Sequence, residues 1–228
     1  MTTKIKSTSL EDNAVTTAKI ASDAVTAAKI PANAIGNSEL DLTASYAFSG
    51  TISGAGSVER ISTGSAGSGV SSIEIDIPTD ASYNHFVLNI HDLYGSGDGD
   101  LRMEIRKQSG SAYQTNYTYS TMERTYGASP SGASGNSGSG TLEMTYYNLG
   151  NAIAEANSYN IIITNNKSST YHTKVYGTAY GLASGANATV RAFGGSSNTI
   201  QIDDRIKILP STGTLTHGEY ALYGYTRS

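Results

Sequence analysis

The chain has 228 residues, 19 acidic against 15 basic, for a net charge of −4 and a pI near 5.5. Charged residues make up 15%, against roughly 25% in an average globular protein, and Lys and Arg do not cluster. This speaks against nucleic acid or an anionic membrane as the main partner. Cysteine is absent, which excludes disulfides and thiolate metal sites.

No apolar run approaches the roughly 20 residues that span a bilayer, so no membrane insertion is expected. The opening "MTTKIKSTSL" lacks the apolar core of a secretory signal. In place of charge the chain carries 25 Gly and 16 Tyr, with only 3 Phe and no Trp. Such a composition suits a β-rich protein with many turns, whose aromatic mass usually bears a hydroxyl.

The first element, residues 1–42, places an aliphatic residue at every fifth position: Ile5, Leu10, Val15, Ile20, Val25, Ile30, Ile35 and Leu40. A step of five turns a helix by about 140° and reverses the face of a strand. Neither element gives this series one buried side. The true period is ten, since Asn13-Ala14-Val15 returns as Asp23-Ala24-Val25 and Asn33-Ala34-Ile35. Asn or Asp opens each unit as a helix N-cap, and Lys19 and Lys29 follow where a cation suits a helix C-terminus. Pro31 disfavours helical geometry at Ile30. The spacing predicts one helical turn per decad followed by an extended link. Apolar residues this sparse are buried when several copies wind about a common axis, and three chains is the preferred number. Composition leaves open a disordered tail. It also leaves open a pentapeptide-type β-helix, although alternate pentads differ and the segment would close only about two coils.

From residue 43 onward period-two patterns take over. "SSIEIDIP" puts Ile73, Ile75 and Ile77 on one face, "HFVLNI" does so with Phe86, Leu88 and Ile90, and "LRMEIRK" with Leu101, Met103 and Ile105. Further predicted strands are "TLEMTYY", "YNIIIT", "TKVYGTAY", "NTIQID", "RIKIL" and "EYALYGYT", separated by turn signals such as "GSGDGD", "SPSG", "NNKSS" and "STGT". Only "LGNAIAEAN" suggests a helix. The low-complexity stretch Tyr126 to Gly140 predicts a long mobile loop. The fold class expected is all-β: an antiparallel, jelly-roll-like β-sandwich head over 43–228, preceded by a repeat-built, non-globular stalk.

Two places carry a family resemblance. The decads "DAVTAAKI" and "NAIGNSEL" resemble linker repeats of bacteriophage tail-fibre and other virion appendage proteins. The run "IKILPSTGTLTHGEYALYGY" is similar to a recurrent ending of phage virion proteins, its pattern filled here by Ile206, Ile208, Gly213, Leu215, Gly218, Leu222, Tyr223 and Gly224. The physical reading of that ending is a hairpin whose glycines serve the turn. Together the motifs cover about a third of the chain. The resemblance implies a homotrimeric virion structural protein, a tail fibre attaching to a host surface glycan or protein. Its N-terminal segment would dock on other virion proteins, with the aliphatic series from Ile5 to Leu40 lining the axis. A particle assembled in the host cytoplasm also reconciles an extracellular-looking composition with no visible secretion route. The alternatives are a capsid or tail decoration with a purely structural role, and a polysaccharide depolymerase.

A depolymerase uses paired carboxylates, and Asp98 with Asp100, or Asp203 with Asp204, qualify by type. They read more plainly as a polar turn and as a strand end or bulge, so no catalytic residue is expected. His85, His91, His172 and His217 are scattered, and "DGD" lacks full calcium-loop spacing, so no metal or cofactor is expected. Tyr113, Tyr117, Tyr119 and Tyr126 precede the low-complexity stretch, and Tyr146 and Tyr147 follow it. A rigid ring with a hydrogen-bonding tip suits a receptor surface, which makes the first four candidate receptor contacts. The same tyrosines also suit a sandwich core or a subunit interface.

Overall fold

The computed structural model describes residues 58–226 apart from 81, 109, 111, 126–132, 146–148 and 184–186, together with positions 20, 26 and 30. The chain divides into two units, Met1–Ser53 and Gly54–Ser228. The predicted helical turns of the decads, and the axis positions other than Ile20 and Ile30, lie outside the described residues. Ile20 and Ile30 are exposed in the single chain.

Among the described residues, twelve strands build the second unit: β1 (Val58–Ser65), β2 (Ile73–Asp76), β3 (Tyr83–Gly95), β4 (Leu101–Lys107), β5 (Tyr117–Thr125), β6 (Ala133–Ser139), β7 (Leu142–Glu143), β8 (Asn157–Thr164), β9 (Lys174–Ala183), β10 (Asn187–Ser197), β11 (Asp203–Pro210) and β12 (Leu215–Thr226). They form an eight-stranded sheet, β1-β12-β3-β8-β9-β10-β5-β6, and a four-stranded sheet, β2-β11-β4-β7, with every pairing antiparallel. The protein is an all-β sandwich. Its pairings nest: β1 with β12, β2 with β11, β3 with β8 and β4 with β7. The hairpins β5–β6 and β9–β10 are inserted into that scheme and extend the larger sheet beyond β8.

The alternating aliphatics explain the layering. Ile73 and Ile75, Phe86, Leu88 and Ile90, Leu101, Met103 and Ile105, Ile161 and Ile163, and Ile206 and Ile208 all turn inward and share one core. Fully burying such a side chain contributes about 1.5–3 kcal/mol. Tyr117 and Tyr119 belong to this core, so the first is filler and the second nearly so, not free surface. The Tyr117 hydroxyl accepts the Ile105 backbone N–H at 2.7 Å and stitches β5 to the opposite sheet.

Several sequence expectations are corrected. Residues 133–139 are not loop: they form edge strand β6, paired with β5 from Tyr117↔Ser139 to Met122↔Ala133. "NTIQID" is a bend leading into β11, and the described part of "TLEMTYY" supplies the two residues of β7. "LGNAIAEAN" contributes a single 3-10 turn, Ile153–Glu155. The C-terminal motif is not a hairpin either, because β11 and β12 lie in different sheets. Gly213 (φ 72°) turns the chain across the gap, and Gly218 (φ 151°) sits at a bulge in β12 against Leu93. Strands β5 and β10 escaped the alternation pattern because their inner faces carry charge. Glu123 and Arg191 point inward at 2% and 1% exposure, while Met122 and Val190 point out.

Candidate interaction surface

The outer faces of the two sheets differ in how densely they are charged. On the four-stranded sheet, cross-strand neighbours form a charge ladder. Arg205 bonds Asp76 at 2.5 Å and Glu74 at 2.8 Å, Lys207 bonds Glu104 at 2.9 Å, and Arg106 bonds Asp204 at 2.9 Å. Arg102 lies 3.6 Å from Asp100 and 3.9 Å from Glu143. A groove of about 560 Å³ beside this ladder is lined by Glu74, Asp76 and Asp204. All three carboxylates are held by guanidinium groups.

The eight-stranded sheet carries few charges across its middle. One register row crosses it through Tyr223, Val87, Ile162, Tyr176, Gly194 and Ser120, on β12, β3, β8, β9, β10 and β5. The next runs through Ala221, Asn89, Asn160, Thr178, Ala192 and Met122. Over these six strands neither row contains a charged residue; the first continues to Arg60 on edge strand β1. Asn160 donates to Asn89 at 2.7 Å. Large side chains stand free on this face: Tyr176 is 48% exposed, Tyr180 59%, Val190 58% and Met122 61%. Tyr180 and Val190 are direct cross-strand partners. At its border the His85 ring stacks on Tyr225 with centroids 4.3 Å apart.

Within this face lies an open groove of about 420 Å³ over β10. Its floor is Gly194, whose missing side chain opens a trough between Tyr176 on β9 and Ser120 on β5. Lys174, Ser196 and Thr118 form the adjoining row.

The predicted site residues scatter. Tyr113 lies on the side of the charge ladder, with the Lys207 ammonium 4.9 Å from its ring centroid. Burial first, and the Glu74 carboxylate second, push its hydroxyl up to about 12. Tyr117 and Tyr119 are internal, and Tyr126, Tyr146 and Tyr147 lie outside the described residues. Reasoning from sequence passed over Tyr176 and Tyr180. The string "TKVYGTAY" marks them as sharing a face, but both faces of that strand are uncharged after Lys174, so nothing in it says which is outside.

The carboxylate pairs also separate. Asp98 and Asp100 sit in a loop clasped to residues 211–214: the Asp100 N–H donates to Ser211 Oγ at 2.8 Å, and Thr212 Oγ1 donates to the Asp98 carbonyl at 3.2 Å. Burial, followed by Glu143, pushes the Asp100 carboxyl above its usual range, with Arg102 opposing. Asp203 is buried as a hub for three loops. It accepts from Thr173 Oγ1 at 2.5 Å, Gln114 Nε2 at 2.8 Å and Gln201 Nε2 at 3.0 Å. Burial still raises its pKa against those three bonds. Asp204 turns away to Arg106 at a register shift, as the bulge reading anticipates. Among the described residues no group of three His, Asp or Glu side chains is placed to hold a metal ion.

No protein-family model, no curated protein and no solved structure matches this chain. The surface itself is therefore the ground for a functional reading.

Proposed function

We propose that the chain is a subunit of a virion appendage, a homotrimeric tail fibre that attaches to a bacterial surface. The N-terminal decads form the trimer axis and dock on other virion proteins, and the sandwich carries the contact surface. The nested strand pairing supports reading the sandwich as a jelly roll with two inserted hairpins. No catalysis is part of this reading.

The supporting observation is the contrast between the outer faces. A protein needing only solubility has reason to charge both, as it does the smaller sheet. Instead the wider face keeps charges such as Lys174 and Arg124 at its margins and displays tyrosine, methionine and valine across its middle, the composition of a contact surface. Three copies on one axis would multiply a weak contact.

The test begins with the solution mass of the full chain. Three chains of 23.8 kDa give about 71 kDa, and a monomer would remove the axial reading. Labelled full chain is then offered to a panel of bacterial cells. Saturable binding that blocks particle adsorption supports attachment. A trimer that binds no cell yet remains on the particle would point to a decoration fibre, and oligosaccharides released from surface glycans would point to a depolymerase.

A further inference from the structure

We infer that the groove over Gly194 is a binding site for an acidic polysaccharide, with a sugar ring stacked on Tyr176 and its carboxylate on Lys174. The inference rests on the attachment reading and assigns that surface a ligand class.

Four features of one small grid carry it. Gly194 sits between Tyr176 and Ser120 across three strands, and Ser196 sits between Lys174 and Thr118 in the adjoining row. Strands stand about 4.8 Å apart, and alternate residues along a strand about 6.8 Å, so the trough is the width of a sugar ring and closed by side chains on both flanks. Tyr176 lines the trough and is half exposed, and a tyrosine ring has an apolar face of the kind that meets the C–H face of a pyranose. Ser120 and Ser196 offer hydroxyls at the floor's edges, each able to donate and to accept. These groups suit sugar hydroxyls better than the wholly apolar surface of a protein hot spot.

Charge decides between neutral and acidic sugars. Arg102, Arg106, Arg205 and Lys207 of the opposite sheet all have carboxylate partners. Lys174 is exposed and has no carboxylate partner among the described residues. It is set two residues from the Tyr176 ring on the same face, where a uronate carboxylate would complement it.

The experiment uses the full chain against immobilised alginate, polygalacturonate and hyaluronate, with dextran as the neutral probe. The wild type is expected to bind at least one acidic probe and to prefer it to dextran. Tyr176→Ala and Gly194→Val should each weaken that binding about tenfold or more by removing the platform or filling the trough. A Cβ at Gly194 meets its nearest neighbour, Tyr176 Cβ, at 3.5 Å, an ordinary contact, and a thermal melt of the second variant checks that its added methyl groups leave the fold intact. Lys174→Ala should abolish the preference over dextran and flatten the salt dependence. Ile153→Ala, exposed in the 3-10 turn and outside the sheet, should leave binding unchanged. Failure to bind any acidic probe overturns the inference, as does binding insensitive to Tyr176 and Gly194. Cell binding separates the two levels. If the groove variants bind bacteria as well as the wild type does, attachment stands and the groove assignment falls. If the acidic probe is bound through the groove but no cell is bound, the site stands and the attachment reading falls.

Discussion

Replacing Arg191 by Met should destabilise the sandwich far more than any surface change, because it strands a charge inside. Arg191 Nε donates to Glu123 Oε2 at 2.8 Å, with both side chains nearly sealed from solvent. Arg191 Nη1 also donates to Asn157 Oδ1, and Asn157 is anchored through Nδ2 to the carbonyls of Leu149 at 2.6 Å and Glu155 at 2.8 Å. At that separation, with an effective dielectric constant near 20, the Coulomb attraction is roughly 6 kcal/mol. Desolvating the two ions opposes it by several kcal/mol each. The intact pair is therefore close to neutral against an apolar replacement, whereas removing one member leaves an uncompensated carboxylate at a cost of about 3–5 kcal/mol. In a domain of this size that is a fall in Tm of roughly 6–20 °C. Urea unfolding and calorimetry of wild type, Arg191→Met, Glu123→Leu and the double variant would measure it. The double variant should recover at least half of the loss suffered by Arg191→Met. A single-variant loss below about 1 kcal/mol, or strictly additive losses, would refute the reasoning.

Three further outcomes are expected. Tyr117→Phe removes the acceptor for the buried Ile105 N–H and should cost about 1–3 kcal/mol in urea unfolding, where an unchanged midpoint would contradict the cross-sheet stitch. Gly177→Ala should destabilise or prevent folding, since the new Cβ would lie 2.3 Å from the Asn160 carbonyl oxygen and 3.1 Å from Ile161 Cα. Gly140→Ala, with nothing within 4 Å, should stay within about 0.5 kcal/mol of wild type, and equal thermal melts for the two would be inconsistent with this packing. The Asp203 carboxyl is raised in the folded state by burial, so the fold binds its proton more tightly than the unfolded chain does. Its stabilising contribution is present below the unfolded value of about 3.9 and is lost as pH rises through the raised folded value. Relative to Asp203→Asn, which does not titrate, wild-type stability should fall as pH rises from about 4, and a parallel pair of stability–pH curves would contradict the assignment.

Legibility in the sequence followed the placement of charge. "LRMEIRK" and "SSIEIDIP" alternate aliphatic with charged residues, so strand, register and buried face were all readable, and the structure buries Ile73, Ile75, Leu101, Met103 and Ile105 as expected. "YTYSTMERT" and "NATVRAFGGSS" read poorly because their charges are inverted: Glu123 and Arg191 face inward and satisfy each other across the β5–β10 pair. Neither charge is tolerable alone, and nothing local pairs residues 68 positions apart. The same blindness hid β6, a Ser/Gly strand with almost nothing to bury, which exists because β5 offers it an edge.

The candidate surface divides along the same line. Composition and alternation by themselves determined an all-β sandwich with hydroxyl-rich faces, because period-two burial is a property of the single strand. They also brought out the decad repeat, whose unburied aliphatics need partners from elsewhere. Only the tertiary structure decided which tyrosines are core and which are surface. Tyr117 and Tyr176 both sit in strands whose charges do not mark the outer face, and the difference arises when β9 and β10 slot between β8 and β5, turning one face to the core and leaving Tyr176 beside the gap at Gly194. A groove made from three strands distant in sequence has no local signature, since its shape is set by the register in which those strands meet.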